Sequence, residues 1–243
     1  MTKKEYDVDN TNFSNQTDCE IYLLSTRLAS PSPGWQPIYE FEDTFARILN
    51  ATVITPRYKS AVSRRFIRGP IKRIFSRFEK ERIDYTSNNR KRILFISAIN
   101  PYSMEMVTSI PNWRKIFDIV VAYVIDSYPL YMYPDIANRF DHIFVPILEN
   151  IEDVSKITGV KTTLLPMGSD VLAYGSDQPH RNIDLFGYGR QPPNFQKVFH
   201  STFNKFNSES FFLCTEVYLN FEASLKENRD YLLKMLQHSK IAL

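Results

Sequence analysis

Short runs of consecutive apolar residues alternate with stretches of helical period along most of the chain. Glu20-Ile-Tyr-Leu-Leu-Ser25 opens the series as a buried-type strand and ends in the breaker cluster Ala29-Ser-Pro-Ser-Pro-Gly-Trp35. Tyr39, Phe41, Phe45, Ile48 and Leu49 then recur at helical spacing, and Ala51-Thr-Val-Ile-Thr55 reads as a second strand stopped by Pro56. Strand, tight loop, helix and strand make a βαβ unit, which calls for a parallel sheet. The alternation resumes with a strand at Arg92–Ser97 and one or two short helices over 102–117. Ile119-Val-Val-Ala-Tyr-Val-Ile125 is the most hydrophobic strand and is expected at the centre of the sheet. A helix at Pro134–Arg139, a strand at His142–Val145, a helix at Ile151–Ile157 closed by Gly159, and a strand at Thr162–Leu165 complete the set.

The pattern predicts an α/β fold: a doubly wound, parallel-sheet Rossmann-like domain over residues 19–170, followed by a partial second Rossmann-like domain. Residues 1–18 are polar and without apolar period, and read as a disordered tail. Residues 171–182 form a linker. The second unit, 183–243, holds a strand at Ile183–Tyr188, a helix at Asn194–Phe206, a strand at Phe211–Cys214, a helix at Lys226–His238 and a strand opening at Ser239.

Composition narrows the class. With 43% hydrophobic and 23% charged residues, the chain of 243 residues is neither fibrous nor wholly disordered. Its two cysteines, Cys19 and Cys214, lie far apart, which excludes a disulfide scaffold or zinc knuckle. No apolar run reaches the roughly 18–20 residues of a membrane span, and the first residues hold no hydrophobic export segment, so a reducing cytoplasm is the expected compartment. The net charge of +3 hides an asymmetry: Arg57 to Arg82 holds ten Lys or Arg against Glu79 and Glu81, a segment charge of +8 on a body of −5. A localised anionic partner follows, with no fold to suggest nucleic acid. Between 70 and 82, Ile71, Ile74, Phe75 and Phe78 share one helical face and Lys72, Arg73, Arg77, Lys80 and Arg82 the other. Such a helix either lies on an anionic membrane surface, with Phe75 and Phe78 inserted, or packs on the domain with a solvated basic face.

Three loops at expected carboxyl ends of strands could carry chemistry, because ligands of open α/β sheets bind there. Pro31-Ser-Pro-Gly34 is either a plain proline turn or an anion-binding helix start, with Gly34 allowing close approach. Asp126-Ser-Tyr-Pro129 follows the most buried strand; Asp126 is a candidate general base or acceptor contact, or a helix cap, and Tyr128 stands beside it. Phe186-Gly-Tyr-Gly-Arg190 joins Gly187 and Gly189 to a forked cation, Arg190, a combination suited to a pyrophosphate. The four histidines have no partners at ligand spacing, so no metal is expected.

The stretch Thr163-Leu-Leu-Pro-Met-Gly-Ser-Asp170, followed after a spacer by Arg181-Asn-Ile-Asp-Leu-Phe-Gly-Tyr-Gly-Arg190, resembles the domain junction of GT-B glycosyltransferases of the retaining, sucrose-synthase-like branch. Pro166, Gly168 and Asp170 match that family's turn, while Gly189 and Arg190 match the end of the first donor-side strand. The lysine that the family carries five residues later corresponds to Phe195, with Lys197 nearest. The resemblance implies transfer of a sugar from a nucleotide-sugar donor to a hydroxyl acceptor, such as a lipid-linked or cell-surface glycan in polysaccharide biosynthesis. It further implies Gly187, Gly189, Arg190 and Lys197 around the donor phosphates, Gly34, Tyr128 and Asp126 on the acceptor side, and no cofactor beyond the nucleotide sugar. The family's paired glutamates fall past residue 243, so the donor side reads as shortened. The alternative is a non-catalytic GT-B-like binding or scaffold protein, or a truncated transferase without activity. A lipid-linked acceptor would place the protein peripherally on the inner face of a membrane.

Overall fold

The computed structural model describes residues 19–28, 35–57, 78–81, 83, 90–168, 180–188, 197, 201, 211–214 and 224–242. It divides into two units, Met1–Pro31 with Phe41–Gly168, and Ser32–Glu40 with Ser169–Leu243.

In the first unit, β1 (Cys19–Ser25), β2 (Thr52–Ile54), β3 (Lys91–Ala98), β4 (Ile119–Val124), β5 (His142–Val145) and β6 (Thr162–Leu164) form one sheet. The order is β2-β1-β3-β4-β5-β6 and every pairing is parallel. β3 and β4 occupy the middle, where runs of Leu, Ile, Val and Ala suit strands covered on both faces. One face carries Tyr22, Leu24, Leu94, Ile96, Val120, Ala122, Ile143 and Val145, packed with Met104, Met106, Val107, Trp113 and Val154 from the connections. The other face meets helix α1 (Gln36–Leu49), whose Phe45 stacks 4.5 Å from Phe95 and whose Phe41 lies 5.7 Å from Tyr123. Helices on both faces of a parallel sheet make this a Rossmann-like α/β unit.

The connections depart from the sequence expectation in kind. Residues 101–109 are a 3-10 turn, capped by Asn100 and followed by the one-turn helix α2 (Trp113–Ile116). Asp135–Arg139 is also 3-10. Proline begins both turns, at Pro101 and Pro134, and the segments close on bonds three residues apart, such as Phe140 N–H to the Ala137 carbonyl at 3.2 Å. Helix α3 (Ile151–Thr158) ends where the sequence places its cap: Gly159 has φ 70°, in the left-handed region that favours glycine.

Phe78 requires a correction. It is 1% exposed and belongs to the core cluster of the first unit, so it is not available to enter a lipid surface. Burial of a large aromatic ring in a protein core outweighs its exposure on a basic helix face. Glu79 N–H bonds the Arg57 carbonyl and Glu81 N–H the Ser109 carbonyl, tying the end of the basic segment to the domain. Lys72, Arg73, Phe75 and Arg77 lie outside the described residues.

In the second unit, β7 (Ile183–Tyr188) stands between β8 (Phe211–Cys214) and β9 (Ser239–Ala242), both parallel to it. Helix α4 (Leu225–Gln237) leads into β9 and starts with a capping box, Ser224 and Glu227 each bonding the other's backbone N–H. Arg181 donates to the Ser239 carbonyl at 2.9 Å, and Arg229 grips Glu40 with two bonds of 2.6 and 2.8 Å. The expected helix at 194–206 falls largely outside the described residues. Among those described, no helix is long and apolar enough to cross a membrane.

Candidate functional site

The order in which strands are added reverses at β1: β2 is added on one side of it, and all later strands on the other. Connections diverge at such a switch point, and the carboxyl ends of the two strands border a crevice. Register places Ser25 of β1 beside Ser97 of β3, and Ser97 beside Tyr123 of β4, so three hydroxyl side chains share one row on the face covered by α1.

Glu42 of α1 is fully buried over this row. Ser25 Oγ donates to Glu42 Oε2 at 2.5 Å. Arg27, just beyond β1, donates to the same oxygen from Nε at 3.3 Å and from Nη2 at 3.0 Å, and Nη2 reaches Asp43 at 2.7 Å. Burial pushes the Glu42 carboxyl above the ordinary carboxylate range, with Ser25, Ser97 and Arg27 opposing the shift. Glu42 Oε1, Ser97 Oγ and Tyr123 Oη are buried without an aligned hydrogen-bond partner among the described residues. Burial raises the Tyr123 phenol to about 12. The sequence reading missed Glu42. Its signal was a lone acid on the apolar stripe of α1, four residues after buried Ile38 and three before Phe45.

Farther along the same carboxyl edge, Ile125 and Asp126 N–H bond the Ala98 and Ile99 carbonyls, extending the β3–β4 pairing past the strands. Asp126 is half-buried, and its carboxylate makes no hydrogen bond or ion pair among the described residues. Burial raises it above the ordinary Asp range. Buried Ser127 accepts from Asn150 Nδ2 at 3.1 Å, which ties the loop after β4 to the one after β5, and Tyr128 is 64% exposed. The structure thus brings Asp126 and Tyr128 together on one loop, and Asp126 caps none of the helical turns that follow.

Gly34 falls outside the described residues, as do Gly189 and Arg190. Gly187 is the penultimate residue of β7, opposite Leu213 of β8, and Lys197 is exposed. Gly168 has nothing within 4 Å of where a Cβ would lie. His142 is packed on Phe144 at 4.6 Å and bonded through Nε2 to Thr163 Oγ1 at 2.8 Å, with burial and then Lys161 holding it below the usual imidazole value. No group of three His, Cys, Asp or Glu among the described residues is arranged to hold a metal ion.

No protein-family profile, curated protein or solved structure matches the chain significantly.

Proposed function

We propose that the chain is a glycosyltransferase of GT-B type, moving a sugar from a nucleotide-sugar donor to a hydroxyl acceptor. One observation carries the reading: both sheets are wound outward from their first strand, as β2-β1-β3 and as β8-β7-β9, and the second begins in the strand that runs into Gly-Tyr-Gly-Arg190. In this reading Arg190, with Gly187 and Gly189, holds the donor diphosphate and offsets its growing charge as the sugar departs. Asp126 takes the proton of the acceptor hydroxyl; its carboxylate, which has no partner among the described residues, and its raised proton affinity suit a general base. Tyr128 flanks the acceptor.

Calorimetry with UDP, GDP and ADP tests the donor side. Binding of at least one nucleotide is expected, weakened by about 1.5–3 kcal/mol in Arg190→Ala, the scale of a charge-assisted hydrogen bond. Absence of binding at millimolar nucleotide would hand the chain to the non-catalytic reading.

A further inference from the structure

We propose that the edge of the six-stranded sheet where β3 to β6 begin is a docking surface for an anionic lipid bilayer. The proposal is independent of the transferase reading and uses none of its residues. Parallel pairing brings these strand starts to one edge. Arg90 and Lys91 stand at the start of β3, Lys115 in α2 before β4, Arg139 before β5 and Lys161 before β6. All five are exposed, and none of their charged groups meets a carboxylate among the described residues.

The acids of the same edge are engaged. Glu20 accepts from Arg92 Nε at 3.3 Å, and Asp118 from the Arg92 backbone N–H at 2.7 Å. Asp141 takes both terminal nitrogens of Arg114, at 2.8 and 2.9 Å, and the Val120 N–H at 2.7 Å. With Arg92 and Arg114 counted, these three acids and the five cations give the edge a charge of +4. The body outside residues 57–82 carries −5, so its remainder carries −9. A positive rim on a negative body directs its field to one side and favours an anionic partner there.

Three features favour lipid over another polyanion. Ile119, the first residue of β4, is 37% exposed among the cations. A bilayer accepts both kinds of group, cations among headgroups and an apolar side chain at the acyl boundary, whereas a nucleic-acid backbone offers Ile119 nothing. Arg139 is ordered in advance, its guanidinium carbon 5.0 Å from the ring centre of buried Trp113. Its planar fork has no acceptor among the described residues and suits a phosphate at low entropic cost. The strand starts also form a row, about 15 Å across three strand spacings, which meets several headgroups at once. Asp126 and Tyr128 lie beyond the opposite ends of the strands, so docking here leaves the carboxyl edge facing solvent. The surface recruits the protein to a membrane and does not deliver a lipid to that edge.

The test is flotation of the full chain with phosphatidylcholine vesicles, with and without phosphatidylglycerol, at low and high salt. Wild type is expected to float only with phosphatidylglycerol and to be released by salt. Each cation near such a surface is worth about five-fold in partitioning, so Lys115→Glu/Lys161→Glu should bind at least about 25-fold more weakly. Undiminished binding of that variant, or equal flotation with both lipids, would overturn the proposal. So would a wild type that ignores the vesicles, including one that shifts a DNA duplex instead. Thermal unfolding checks that the variant folds. If it does not, Lys115→Gln/Lys161→Gln takes its place, with a loss of about 25-fold expected. Failure of both to fold would refute the premise that these side chains are held by nothing in the protein.

Discussion

Tyr133 illustrates how single residues carry testable energy here. Its hydroxyl is buried without a hydrogen-bond partner among the described residues, and burial moves the phenol well above its ordinary value. Tyr133→Phe deletes a desolvated polar atom while keeping the ring, so urea denaturation is expected to show a gain of about 1 kcal/mol; a loss of that size would mean the hydroxyl is satisfied in solution. Asp126 makes the opposite kind of prediction. Under the transferase reading Asp126→Asn should lower kcat by about 10²–10⁴-fold without lowering Tm. Since only the ionised carboxylate accepts a proton, wild-type rate should climb with pH through a midpoint above the ordinary Asp range. A flat profile would remove Asp126 from the base role. The sequence exposed Asp126 because a lone acid directly after the most apolar run is conspicuous. It concealed Glu42, whose meaning depends on Ser25 and Ser97, hydroxyls that strand register assembles from distant segments.

The elements were legible where pattern and punctuation agree. β5 and β7 have the bounds that their apolar runs imply, and α3 stops at its glycine. Gly159→Ala should cost about 1 kcal/mol: no atom lies within 4 Å of the added Cβ, so the cost is that of the left-handed backbone alone. An unchanged thermal midpoint would show that the cap relaxes instead. The 3-10 turns at 101–109 and 135–139 were read as helices because periodicity over so few residues does not separate the two forms; proline and the capping amide of Asn100 decide it locally. In α4 the capping box holds the Glu227 carboxylate below its ordinary value, first through its bonds with Ser224. Its support for the helix is therefore present above the ordinary Glu value and lost as pH falls through the lowered one. Amide exchange at the start of α4 should accelerate on acidification, and in Glu227→Gln that pH dependence should vanish.

On the scale of the molecule, the charge asymmetry was readable from sequence, but its mechanical setting was not. Amphipathic spacing assigns Phe78 to an apolar helix face without saying whether lipid or protein covers that face; the core of the first unit covers it. Phe78→Ala should then cost about 3–5 kcal/mol of stability, as for other large core truncations, and a cost near zero would return the residue to the surface. The cations remain a separate matter. Vesicle sedimentation with anionic lipid should retain the protein at low salt and release it in Arg73→Glu/Arg77→Glu, while equal recovery in the supernatant throughout would remove the membrane from its partners. The outer strands of the six-stranded sheet have a different consequence. β2 and β6 are three residues each, while β1 and β3 inside them run to seven and eight. A foreign strand arriving at either side would find a ladder too brief to repay its own ordering, so this sheet guards itself against amyloid-like stacking by the shortness of its borders.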